Sequence, residues 1–160
     1  MFKVSALSFV LLILVDLYYG FETGAPEGVC VDMKPKHLNA KPQLPPSPYK
    51  ISVSKFSIGS SEKIDVTIEG TEVFKGFLLQ CRNSQGVPVG KFESHPSGQT
   101  LNCAPGKDNA LTHRNATDKY SLVFKWKPAG FKGTAVCIGT VVKSAPIFWT
   151  QLKSPQFEVV

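Results

Sequence analysis

From Tyr49 onward the apolar residues of this chain recur at every second position, a period that admits strands and argues against helices. Ile51 and Val53 alternate with Lys50, Ser52 and Ser54, and Ile64, Val66 and Ile68 alternate with Lys63, Asp65, Thr67 and Glu69. Successive side chains of a strand point to opposite faces, so each run reads as a strand with one buried face. Gly70 closes the second run. Residues 74–82 form a third, in which Gly76-Phe77-Leu78-Leu79 is apolar on both faces and belongs in the middle of a sheet. Asn83-Ser84-Gln85-Gly86 supplies turn chemistry, and Val87-Pro88-Val89-Gly90 reads as an edge segment because proline cannot donate to a ladder. Residues 93–118 are small and polar and read as loops around a short anchored piece at 101–103. Order returns with Tyr120, Leu122, Phe124 and Trp126 on one face, opposed by Ser121, Val123, Lys125 and Lys127. Pro128-Ala129-Gly130 breaks that strand. Residues 134–142 are apolar and β-branched on both faces, as in a central strand, and Ile147-Phe148-Trp149 begins the last one. No window shows helical apolar spacing and no repeat is present. Seven or eight short strands predict an all-β fold, a single antiparallel β-sandwich.

The chain has 160 residues, and its beginning has a different character. Residues 1–20 carry Lys3, an apolar run at 4–15 and a polar end at Gly20, the order of a secretory signal peptide. The run is too short for a membrane span, which needs about 20 apolar residues, and no later segment approaches that length. Export to the extracellular space is therefore expected. Residues 21–48 hold Pro26, Pro35, Pro42, Pro45, Pro46 and Pro48 and show no periodicity. They read as an extended proline-rich arm over the surface of the sandwich body at residues 49–160.

Function classes narrow by what the residues lack. The chain contains no G-x-S-x-G, no H-E-x-x-H, no glycine-rich phosphate loop and no calcium loop, so neither an enzyme nor a cofactor or metal is expected. His37, His95 and His113 stand far apart in polar contexts and read as exposed loop residues. Asp65 and Glu69 lie on a solvent face, and Tyr120, Phe124 and Trp126 alternate as core residues do. Cys30, Cys81, Cys103 and Cys137 are even in number in an exported chain, which favours disulfides while leaving three pairings open. Asn115-Ala116-Thr117 is a glycosylation sequon. The net charge is +6, and six of the lysines fall in residues 119–160 beside one acid, Glu158. That excess suits either a solvated face or attraction to an anionic surface. Lys125, Lys127 and Lys132 are the candidate anion-binding residues.

An ordered series of short segments carries a resemblance. Gly24-Ala25-Pro26, Cys30, Lys41-Pro42-Gln43, Ser47-Pro48-Tyr49, Phe74-Lys75-Gly76-Phe77-Leu78-Leu79-Gln80, Pro88-Val89-Gly90-Lys91-Phe92, Cys103, Thr112-His113, Phe124-Lys125-Trp126 and Phe148-Trp149 follow one another over nearly the whole mature chain. The series resembles the reeler domain, and more closely the stand-alone insect defence proteins of the noduler type. The resemblance implies an immunoglobulin-like β-sandwich, secreted in innate immunity, that binds bacterial or fungal surface components and does no catalysis. It is similar also to the reeler module of ferric-chelate reductases, whose electron transfer belongs to haem-bearing membrane helices. Cys30 and Cys103 match the family's cysteine pair. Cys81 and Cys137 depart from it and suggest an additional disulfide between facing central strands.

Two functions of different class follow as expectations. The first is a secreted defence protein whose partners are microbial surface components such as lipopolysaccharide, teichoic acid or glucan, with no nucleic acid and no membrane span. The alternative is an extracellular adhesion or matrix module that uses the same lysines for sulfated glycans.

Overall fold

The computed structural model describes residues 22–37 and 40–160, and the export segment read at residues 1–20 lies outside them. After a single 3-10 turn at Glu27–Val29 come eleven strands: β1 (Tyr49–Val53), β2 (Ser57–Ile58), β3 (Ile64–Phe74), β4 (Gly76–Asn83), β5 (Lys91–Phe92), β6 (Gly98–Leu101), β7 (Ala110–His113), β8 (Lys119–Lys127), β9 (Gly133–Ser144), β10 (Ile147–Lys153) and β11 (Phe157–Val159). A four-stranded sheet runs β1-β3-β8-β5. A seven-stranded sheet runs β2-β11-β9-β4-β7-β6, with β10 also paired to β9.

The alternating side chains of both sheets meet in one core. Ile51, Val66, Ile68, Phe124 and Trp126 come from the smaller sheet, and Phe77, Leu79, Val141 and Phe157 from the larger. Aromatic rings interlock there, Phe77 with Phe124 at 5.0 Å between centroids and Trp126 edge-on to Phe157 at 5.2 Å. Such offset and edge contacts suit the ring quadrupoles better than a face-to-face stack. The larger sheet is buried on both faces. Its outer side chains Leu78, Ala110 and Ile138 form a second cluster with Val29, Cys30 and Met33 of the arm. Hence β4 carries six buried residues in succession and shows no alternation.

Local chemistry sets the turns. The Asn83 Oδ1 accepts from the backbone of Gln85 and Val87 at 3.1 and 3.0 Å, and Gly86 takes φ +78°. Gly90, at φ +67°, lies so close to Trp126 that an added Cβ would stand 2.1 Å from the indole, whose Nε1 donates to Val89 O at 3.1 Å. The Pro88-Val89-Gly90 segment is thereby fitted to the tryptophan.

Four expectations change. The stretch at 93–118 holds the β6–β7 hairpin, and all four residues of β7 are buried because the strand lies between β4 and β6. Its Thr112 and His113 look solvent-loving in sequence, yet they are buried among backbone partners. Gly70 does not end β3; the strand continues through an irregularity to Phe74, with five steps on β3 matched by two on β8. That slip inverts the end of β8, so Tyr120 is exposed and Lys119 is buried. Finally, β11 and β2 pair in parallel, whereas the other strand pairings are antiparallel.

Candidate functional site

The arm is fastened to the outer face of the larger sheet at several points between Gly24 and Met33. Cys30 is bridged to Cys103 with their Cα atoms 5.6 Å apart. Beside the bridge, the buried Gln80 Nε2 donates to Cys30 O at 3.0 Å. The Arg82 guanidinium donates to the Cys30 and Val31 carbonyls at 2.7 and 3.0 Å and to Gln80 Oε1 at 2.8 Å. These bonds satisfy polar groups that burial would otherwise leave unpaired. Farther along, Ala25 N donates to Thr112 Oγ1 at 2.9 Å and Thr140 Oγ1 donates to Met33 O at 2.5 Å. Gly24 adopts φ +116°, and a Cβ there would stand 2.7 Å from His113 O, so the close approach needs glycine.

Between arm and sheet the structure leaves a cleft of about 420 Å³. Ala25, Val29, Met33 and Pro35 line it from the arm, and Leu78 and Val142 from the sheet. Lys34, Lys36, His37 and Lys75 also line it, with Glu22 as the one carboxylate among the described lining residues. Neither Lys34 nor Lys36 has a carboxylate partner within the described residues, and Lys75 reaches Asp118 at 3.6 Å. Burial lowers the His37 pKa below its ordinary 6.5, which leaves the ring neutral at neutral pH. The sequence announces this site only weakly. Lys34-Pro35-Lys36-His37 is a visible basic run, but nothing in the period of the chain shows that an apolar floor lies beneath it.

The lysines singled out from sequence sit elsewhere, around β8. Lys125 and Lys127 project from the outer face of the smaller sheet, and Lys132 lies in the connection from β8 to β9. Lys125 is neutralised by Asp65 across the β3–β8 ladder, at 2.5 Å. Lys63 is bound to Glu93 at 2.5 Å and Lys50 to Glu69 at 3.1 Å, so most of this face balances its own charge. The balance fails at one end. Lys127 lies directly opposite Lys91 of β5, and among the described residues the two have no carboxylate within salt-bridge distance, although Glu93 is near enough to Lys127 to feel its charge. Like charges placed opposite each other on adjacent strands are destabilising. Lys91 and Lys107 also line a small groove of about 220 Å³ beside them.

The remaining candidates occupy separate places. Asn115 is exposed, and its Oδ1 accepts from Thr117 Oγ1 at 2.6 Å. Cys81 and Cys137 are bridged between directly paired positions of β4 and β9. His113 is buried on β7 rather than exposed in a loop; its Nδ1 accepts from Phe77 N at 3.3 Å. His95 stacks edge-on against Phe124, and Trp149 against Tyr49. Among the described residues no three His, Cys, Asp or Glu side chains gather as metal ligands.

The arm, the bridge and the Gln80 and Gly90 contacts fall on the segments of the resemblance, and comparison with known sequences decides it. A family model described as the Reeler domain matches residues 28–160. This chain belongs to the reeler family. "Putative defense protein 3" of Antheraea mylitta is 37% identical over 144 residues, covering 88% of this reeler chain and 87% of the relative. The "Defense protein l(2)34Fc" of Drosophila melanogaster is 37% identical over 155 residues, covering 93% of each chain. The human F-spondin reeler domain superposes with a TM-score of 0.60 at 15% identity, covering 77% of this chain and 96% of that one, a likeness of fold alone. The near full-length match to proteins named for defence supports a defence role for this reeler chain.

Proposed function

We propose that the protein is a secreted, non-catalytic defence module that attaches to anionic components of microbial surfaces. The observation that carries this reading is the unbalanced lysine pair Lys91 and Lys127 at one end of the smaller sheet, on a chain whose near relatives are named as defence proteins. Lipopolysaccharide and teichoic acid present dense phosphate, which lysine meets as a point charge with little geometric demand. Lys125 contributes less than its position in the sequence suggests, since Asp65 already neutralises it. Lys127, Lys132 and Lys91 remain to meet the ligand. Each contact is individually weak, so attachment rests on several lysines and on repeated copies of the ligand.

The test is retention of the mature protein on intact bacteria and on heparin beads as salt is raised. Screening shrinks the Debye length from about 10 Å at 0.1 M to about 3 Å at 1 M, so retention is expected to fall steeply. A folded variant carrying Lys91→Gln, Lys127→Gln and Lys132→Gln is expected to lose most retention, and Lys125→Gln alone to lose little. Unchanged, salt-independent retention of the triple variant would refute the assignment. Preference for heparin over bacteria would instead identify an adhesion module that reads sulfated glycans.

A further inference from the structure

The cleft under the arm is chemically unlike the lysine end of the smaller sheet. Its walls are mainly the apolar side chains Ala25, Val29, Met33, Leu78 and Val142, and Lys34, Lys36 and Lys75 outnumber Glu22, the one carboxylate among the described lining residues. Neither Lys34 nor Lys36 has a carboxylate partner among the described residues. Water in such a space gains little from its walls, and an alkyl chain that displaces it removes apolar surface from water on both partners. A volume of about 420 Å³ falls at the lower end of small-molecule sites, which span about 300–1,000 Å³. That is room for one chain rather than a cluster of them.

We propose that this cleft binds a single-chain anionic amphiphile, with the alkyl tail between arm and sheet and the carboxylate or phosphate head at Lys34 and Lys36. Charge complementarity fixes the class of occupant. A neutral hydrocarbon would leave the lysines unused, and a cationic head would meet them with repulsion. The roof is held to the floor by the Cys30–Cys103 bridge, by Thr140 to Met33 and by Gln80 and Arg82 to the Cys30 carbonyl, so the site is preformed. Preformed sites bind without the cost of ordering a loop. The inference is independent of the surface reading, because it uses none of Lys91, Lys127 or Lys132.

The test uses the mature protein and alkyl phosphates and alkyl carboxylates of about eight to twelve carbons, chosen as small single-chain ligands for a cleft in the small-molecule size range, below their micelle concentrations, by isothermal titration. One-to-one binding is expected, tightening about fourfold per added methylene until the cleft is full, as transfer of a CH₂ from water implies. Comparison of the two head groups tells fatty acids from phosphate-headed lipids as the source of the anion. The doubly substituted Lys34→Gln, Lys36→Gln protein is expected to bind about tenfold more weakly, and Ala145→Trp, in the turn bordering the cleft, to block the tail. Both variants should keep their retention on bacteria. The proposal is overturned if neither amphiphile series binds, if alkyl trimethylammonium ions bind equally well, or if folded forms of both variants bind as the parent does.

Discussion

Taking a lysine ammonium out of water is costly unless carbonyls replace its hydration shell. The Lys119 Nζ meets that condition, donating to the carbonyls of Lys75, Asn115 and Thr117 at 3.0, 2.8 and 2.6 Å. Desolvation lowers its pKa below the ordinary value, with the Asp118 charge acting in the opposite sense. The cation therefore works as a brace for the 115–118 loop, which carries the Asn115 sequon. Lys119→Met keeps the aliphatic stem and orphans three carbonyls, so it should lower stability by about 1–3 kcal/mol in a urea titration. Lys107→Met, at an exposed position, should leave the midpoint unchanged. Nothing in the sequence distinguishes Lys119 from the other lysines of residues 119–160, because its burial follows from the slip between Glu69 and Phe74 on the neighbouring strand. The same slip exposes Tyr120. Period-two reading assumes an unbroken ladder, and it fails by one residue where the ladder does not hold.

At the level of elements, β3, β8 and β9 were legible because each is long enough to show its period or its lack of one. The β6–β7 hairpin was not. Four residues of β7 cannot display a period, and Thr112 is buried only because its hydroxyl donates to Phe77 O at 2.7 Å, a partner no local pattern reveals. The arm is only partly so: its prolines suggest an extended course, yet it contains the 3-10 turn at Glu27–Val29, and the cleft beneath it appears only when the sheet face is in view. The bridge from Cys30 closes a loop of 73 residues, which in chain-entropy terms restricts the unfolded state by about 4 kcal/mol at most. Cys30→Ser is accordingly expected to lower the melting temperature and to reduce secretion. Limited proteolysis should cut that variant first within the arm and leave the body intact. A fold that melts as one unit with an uncut arm would mean that Gln80, Arg82 and Thr140 suffice to hold it.

Across the whole molecule, stability depends on pH through groups in both layers. His37 borders the cleft and His95 lies against Phe124, and burial lowers the pKa of each below 6.5. The unfolded chain thus takes up protons that the folded one refuses. Stability is full above about pH 6.5 and falls as the pH drops below it, levelling off beneath the folded-state values. Glu62 and Glu93 act lower on the scale. Glu62 is held down first by the Gly59 N–H, and Glu93 by its hydrogen bond to Lys63, so their contributions vanish as the pH falls through their lowered values. Urea midpoints measured from pH 7.5 down to 5 should decline. His95→Gln, whose amide oxygen can still accept from Ser97 N as the imidazole Nδ1 does at 3.0 Å, should decline less. An equal slope in parent and variant would remove His95 from the account.

The strand β11 has a bearing on when this protein can fold. Its three residues pair with β9 on one side and two of them, Glu158 and Val159, with β2 on the other, and Phe157 closes over Trp126 in the core. The core therefore lacks a wall until residues 157–159 have been synthesised, however early the β3–β8 and β4–β9 ladders begin to form. Contacts of such wide sequence separation are slow to assemble. Until then the growing chain presents an open apolar interior, and its need for chaperones lasts at least until these three residues are in place.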